Sequence, residues 1–146
     1  MRIASGGMQD PADDDTFEGD SEDEASVRAA NRAFYDAFEA RDLDAMSDVW
    51  EHADRVSCTH PGWRTLHGWG AVSGSWFALF GGPSPLQFIL TDEVVCVAGD
   101  AAWVTVDENL ISADGGGTVA AVNLFLRSPV GWRLVSHHGS AVAPQA

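Results

Sequence analysis

The sequence predicts an α+β fold, with helices in roughly the first 80 residues and an antiparallel meander in the rest. Two observations carry this. In the first part, apolar residues recur at three- and four-residue spacing, the period of helices with one buried face. From Leu86 onward the period changes to two, and short turn-rich joints separate the runs. Helices first and strands afterwards is the α+β arrangement.

Ser21 to Glu24 reads as a capping box, a hydroxyl at the cap with a carboxylate three residues later. Val27, Ala30, Phe34, Ala37 and Phe38 then form the buried stripe of a first helix. Asp42 can cap a second, shorter helix that buries Leu43, Met46, Val49 and Trp50. An extended piece follows over 55–60, with Val56, Cys58 and His60 on one side, and Pro61-Gly62 stops it. Val72, Trp76, Leu79 and Phe80 mark a third helix from about Gly70, ended by Gly81-Gly82-Pro83. Four β-like runs are expected at 86–98, 101–112, 117–128 and 131–142. The joints are Gly99-Asp100, Asp114 to Gly117, and Pro129 to Gly131.

Charge narrows the function. The 146 residues carry 22 acidic and 8 basic side chains, a net charge of −14. Phosphate binding needs clustered cations, so neither nucleic acid nor an anionic membrane surface is an expected partner. Nine acidic residues precede Ala25 against Arg2 alone, eight of the fourteen net negative charges. Such a segment has little to bury, and residues 1–20 are expected to be a disordered tail ahead of one domain over 21–143. Two cysteines without metal or redox spacing fit the reducing cytoplasm. No run approaches the length of a membrane span, and the N-terminus lacks a signal peptide's layout.

Three stretches together resemble the nuclear-transport-factor-like superfamily, which includes ketosteroid isomerase and the SnoaL-like polyketide cyclases. "FYDAFEARDLDAMSDVW" has a helix, a short Asp-Leu break and a second helix ending on an aromatic. "RVSCTHPGWRTLHGWGAVSGSWFALF" has a strand ending in His-Pro, a loop and a third helix. "VNLFLRSPVGWRLVSHHGS" closes the meander. The resemblance implies a cone: a curved antiparallel sheet wrapped around three N-terminal helices, with a pocket at the open end. In ketosteroid isomerase a general-base Asp ends the first strand before a Pro; the matching residue is His60. The oxyanion-binding Tyr of the first helix maps to Phe34, with Tyr35 beside it. The protonated Asp of a late strand maps to Asn123. All three positions depart from the isomerase pattern, which argues against steroid isomerisation.

Alternation along the strands gives candidates of its own. One consistent phase points Trp103, Asp107, Asn123 and His138 into the cone, with the aliphatic set outside. His60, at a strand end before Pro-Gly, can exchange protons near neutral pH, or it can simply brace its loop. Asp107 can orient a His or act as base. If the phase is one residue off, Glu108 takes that place and Asp107 is plain surface. Asn123 can hold a carbonyl or hydroxyl, or tie two strands together as a satisfied amide. His138 is the further candidate partner of His60. Trp63 and Trp103 are candidate walls. Cys58 and His60 share a face, but strand rise separates side chains two apart by roughly 6–7 Å, which makes Cys58 core.

His137 and His138 point to opposite faces and cannot chelate one metal together, and no zinc spacing occurs. No phosphate-cradling loop, dinucleotide fingerprint or Ser-His-Asp spacing is present. Neither a metal nor a cofactor is therefore expected. The resemblance, with the polar residues that alternation points inward, implies a pocket for a small apolar or weakly polar organic molecule. It fits a cofactor-independent isomerase, dehydratase or cyclase, with His60, Asp107 and His138 catalytic and Asn123, Trp103, Trp63, Phe34 and Tyr35 binding. The alternative is a non-catalytic ligand-binding or dimeric association module of the same fold. Under this phase Val104, Val106, Leu110, Val122, Leu124, Leu126 and Val135 face outward. A patch of that extent calls for a homodimer, sheet against sheet.

Overall fold

The computed structural model describes residues 11–83, 85–111 and 115–144, with side chains from Ser21 onward. Helix α1 (Pro11–Ala40) begins ten residues before the expected cap at Ser21. Proline suits a first helical turn, whose N–H groups have no intrahelical partner, and acidic residue types suit the positive end of the helix dipole. The expected tail is therefore helical backbone over 11–20, while residues 1–10 lie outside the described residues.

The end of α1 is a Schellman turn. Asp42 N–H donates to Ala37 O at 3.1 Å and Arg41 N–H to Phe38 O at 3.2 Å. Arg41 takes the left-handed position with φ 54°. Asp42 then caps α2 (Leu43–Val49), as its sequence position predicts, by accepting from Ala45 N–H at 3.0 Å. The chain continues through β1 (Ser57–Thr59), β2 (Leu66–His67), α3 (Trp69–Phe80), β3 (Gln87–Ala98), β4 (Ala101–Ile111), β5 (Thr118–Ser128) and β6 (Gly131–Ala141). The four long strands lie within one residue of the expected runs, although the turn expected at Asp114 to Gly117 falls partly outside the described residues. The two-residue β2 was not expected.

The strands form one curved, open sheet in the order β2-β1-β6-β5-β4-β3. The meander is antiparallel throughout, and β1 joins β6 in parallel. Helix α1 lies along the concave side, and an aromatic nucleus of Phe34, Phe38, Trp76 and Phe88 meets there edge to face. Such pairs add about 0.5–1.5 kcal/mol each beyond the area they bury.

The inward phase corrects two strands. On β4 the concave face carries Ala102, Val104, Val106 and Glu108, all buried, while Trp103 and Thr105 are exposed and Asp107 is half-buried on the convex side. Val104 and Val106 had been placed outside. The more apolar set takes the core, because moving valines to water to admit an Asp and a Trp costs burial with no return. On β5 the expected set holds: Val119, Ala121, Asn123 and Phe125 face inward. On β6 Leu124 pairs with Ser136 but Phe125 pairs with Leu134, so Val135 is an extra, bulged residue. The bulge reverses the alternation beyond it. His137 and Gly139 turn inward, and His138 is exposed. Val135 is itself buried rather than outward, and Leu110 lines the interior.

A second bulge, on β3 between Thr91 and Val94, contains Asp92 at φ 57°. It turns Glu93 toward α1, where the carboxylate accepts from Asn31 Nδ2 at 2.9 Å and pairs with Arg28 at 2.6 Å.

Candidate functional site

A cavity of about 170 Å³ opens between the concave sheet and the helices, walled by Phe38, Trp63, Leu79, Phe88, Leu110 and Val119. Three polar side chains line it: His60, Glu108 and His137. The volume matches a six-membered ring, since an apolar cavity of about 150 Å³ holds benzene.

His60 directly follows β1 and is 4% exposed. Pro61-Gly62 turns the chain there, with Gly62 at φ 82° and Trp63 N–H donating to His60 O at 2.9 Å. The imidazole stands edge to face with Trp63 and Trp76. Its tautomer follows from its neighbour. Ser75 Oγ donates to Val72 O at 2.7 Å, so its lone pair accepts from His60 Nε2–H at 2.9 Å. Nδ1 is left as an acceptor. Burial pushes the His60 pKa down to about 4, so the ring is neutral at physiological pH. Cys58 Sγ lies 3.6 Å from Nε2, closer than strand geometry suggested. Burial also pushes that thiol up to about 12, so the contact is a thiol against a neutral imidazole and not a reactive ion pair.

Glu108, on β4, is 4% exposed and accepts from Tyr35 Oη at 2.6 Å. Desolvation raises its carboxyl to about 7, and the Tyr35 hydrogen bond holds it back from rising further. Tyr35 is itself pushed well above its ordinary value, first by burial and then by the charge of Glu108. It acts as a neutral donor.

His137 Nδ1 donates to Asn123 Oδ1, because an amide oxygen can only accept. Nε2 is left unprotonated, and complete burial drives the ring's pKa down to about 3. Asn123 is wholly buried. Its Nδ2 donates to Tyr35 Oη at 3.1 Å and to Asn31 Oδ1 at 2.9 Å. One hydrogen-bonded chain thus runs from the surface pair Arg28–Glu93 through Asn31 and Asn123 to Tyr35, Glu108 and His137.

Among the sequence candidates, His60 and Trp63 line the cavity and Asn123 and Tyr35 stand directly behind it. Phe34 is fully buried packing between Tyr35, Trp76 and His137. Asp107, His138 and Trp103 lie on the convex side and belong to no part of the cavity; His138 Nε2 is 3.2 Å from Ser140 Oγ. Their places are taken by Glu108, weighed as the alternative phase, and by His137. Ser75 and Asn31 were missed. Asn31 had a signal: it sits four residues from both Val27 and Tyr35, a polar residue inside the buried stripe. Among the described residues no group of three or more His, Cys, Asp or Glu side chains could hold a metal ion. Among the described residues no helix is long and apolar enough to cross a membrane.

Residues 27–144 match the model of the SnoaL-like domain family. A crystal structure from Streptomyces avermitilis, described as a candidate dehydratase of the NTF2-like family, is 42% identical. It covers 85% of this chain and 99% of its own, with a TM-score of 0.78. A Thiobacillus denitrificans structure, described as a candidate calcium/calmodulin-dependent protein kinase type II association domain, is 37% identical. It covers 80% of this chain and 94% of its own, with a TM-score of 0.74. The F-box protein SKIP8 of Arabidopsis thaliana is 30% identical over 117 residues, 80% of this chain. The chain spans only 50% of that relative's length.

Proposed function

The chain belongs to the SnoaL-like domain family, and from that premise we propose that its cavity performs cofactor-independent proton transfer on a small organic molecule, with dehydration of a β-hydroxy carbonyl compound the best-supported reaction. The observation that carries this is Glu108: a buried carboxyl poised at about 7, on the wall of a six-carbon-sized apolar cavity. Glu108 rather than either imidazole serves as the base, since burial lowers the histidine pKa values to about 4 and 3 and makes both rings much weaker proton acceptors than a carboxylate at about 7. His60 Nδ1 and His137 Nε2 are acceptors, which suits a substrate bearing a hydroxyl. Glu108 takes the proton from the carbon beside the carbonyl; the C–O bond of the β-hydroxyl then breaks, and the leaving hydroxide takes that proton as water. One carboxyl serves as base and then acid. The likeness to a candidate dehydratase supports this choice.

The test uses 3-hydroxycyclohexanone, which the cavity volume accommodates, and follows cyclohexenone by ultraviolet absorbance. Elimination should follow a single ionisation near pH 7 and vanish in Glu108→Gln. A wild-type rate no better than buffer would remove catalysis and leave a binding pocket.

A second reading, a dimeric association module, is supported by the convex face and by the likeness to a candidate association domain. Two cross-strand rows run there: Val94, Thr105, Val122, His138 and Cys96, Trp103, Leu124, Ser136. Of the residues first assigned to this face, Val122, Leu124 and Leu126 remain. We assign the face to a second copy of the chain. Both cysteines are free thiols, in keeping with a reducing cytoplasm.

A further inference from the structure

A second chamber adjoins the cavity. Phe38, Leu79 and Leu86 wall both, and the outer chamber, about 190 Å³, adds Phe80 and Arg41. Among the described residues Arg41 is the only cation lining either one. It occupies the left-handed position of the Schellman turn, φ 54°, where glycine is the usual residue and a side chain carries strain. One guanidinium nitrogen, Nη1, donates to Gly82 O at 2.7 Å, which aims the fork without neutralising it. Among the described residues the arginine–carboxylate pairs are those of Arg28, Arg55 and Arg127, so Arg41 has no carboxylate partner. Arg32, Arg64 and Arg133 likewise have none among the described residues, but of these four arginines Arg41 alone lines a chamber that adjoins the cavity. A half-buried guanidinium at an apolar rim, with N–H donors to spare, fits a carboxylate.

We propose that the two chambers together bind a small organic acid, its apolar or hydroxylated body against Glu108, His60 and His137 and its carboxylate on Arg41. This rests on the pocket reading above and names the substrate class of that same site. The anion would also explain why a strained arginine stands where glycine would close the turn more easily.

The probes are phenylacetate, 3-phenylpropanoate and 4-phenylbutanoate, each beside its own carboxamide. Binding is measured by calorimetry at pH 6, where Glu108 is largely protonated and the acids remain ionised. Imidazole NMR signals of His60 and His137 report filling of the inner chamber. At least one acid should bind roughly tenfold more tightly than its amide and move both imidazoles, as a charge-assisted hydrogen bond to guanidinium requires. Arg41→Gln should erase the difference, and Arg41→Lys should keep part of it. Acid and amide binding equally while moving the imidazoles would overturn the Arg41 assignment and leave the pocket reading intact. Imidazoles unmoved by every probe would overturn both. The comparison of acid with amide needs no variant, so a variant that fails to fold does not rescue the idea.

Discussion

Tyr35 Oη donates to Glu108 Oε2 across 2.6 Å, joining helix α1 to strand β4 at the back wall of the cavity. This bond opposes the desolvation that raises the Glu108 pKa. Removing it with Tyr35→Phe should push the carboxyl above its present value of about 7, seen by carbon NMR titration of Glu108. It also leaves Asn123 Nδ2 one acceptor short, at a stability cost of about 1–3 kcal/mol. A Glu108 midpoint that stays or falls would show that the bond does not set this ionisation.

Stability against pH has a sign that three buried groups determine. Glu108 rises from 4.5 to about 7, so the folded chain keeps a proton that the unfolded chain has lost. Its contribution therefore falls as pH rises through that window. His60 and His137 drop from 6.5 to about 4 and about 3. Here the unfolded chain takes protons the folded one refuses, and stability is lost as pH falls below 6.5. Between pH 4.5 and 6.5 the two histidines outweigh the one glutamate by a proton, and stability climbs with pH at about 1.4 kcal/mol per pH unit. Glu108→Gln should make that climb steeper and add about 3 kcal/mol above pH 7. Urea unfolding of both proteins from pH 5 to 8 checks this, and parallel curves would contradict it.

Much of this was legible in the sequence. Strand limits were readable because period-two runs end at Gly99-Asp100 and Pro129 to Gly131, where the structure also turns. His60 was readable because Pro61-Gly62 must halt its strand. Facing was harder. Seeking polar groups for a pocket put Asp107 inside, although Val104 and Val106 on the other face had the stronger claim to the core. The bulge at Val135 has no sequence signature, and one extra residue is enough to exchange His137 for His138. The Tyr35–Glu108 and His60–Ser75 bonds join residues 73 and 15 positions apart, which no local pattern announces.

Gly139 sits opposite Ala121 on β6, and a Cβ there would lie 2.9 Å from Val119 Cγ1 and 3.4 Å from Pro61 Cγ. The missing side chain lets Pro61 press against the sheet, which seats His60 in turn. Gly139→Ala should destabilise the fold by about 1–3 kcal/mol, as overpacking does, and shift the His60 imidazole resonances. A variant as stable as wild type, with those resonances unmoved, would mean the loop has slack that the distances do not suggest.

The convex face yields the last prediction. Val94 is 54% exposed, Val122 45% and Trp103 38%, and they lie on neighbouring strands with Leu124 half-buried among them. The three helices sit on the concave side, so nothing else in the described fold covers this surface. A two-fold axis through it would set each copy's Trp103 and Val122 against the other's sheet, as an isologous interface requires. Cys96 lies beside Trp103 in the same row and serves as a reporter. Light scattering at micromolar concentration should give twice the chain mass, and Leu124→Lys should return the monomer by putting an unpaired charge into an apolar seam. Maleimide labelling of Cys96 should be slow in the wild type and fast in that variant, while Cys58, buried with its pKa near 12, stays unlabelled in both. A monomeric wild type with a fast-reacting Cys96 would end the dimer assignment and leave the exposed valines as ordinary surface.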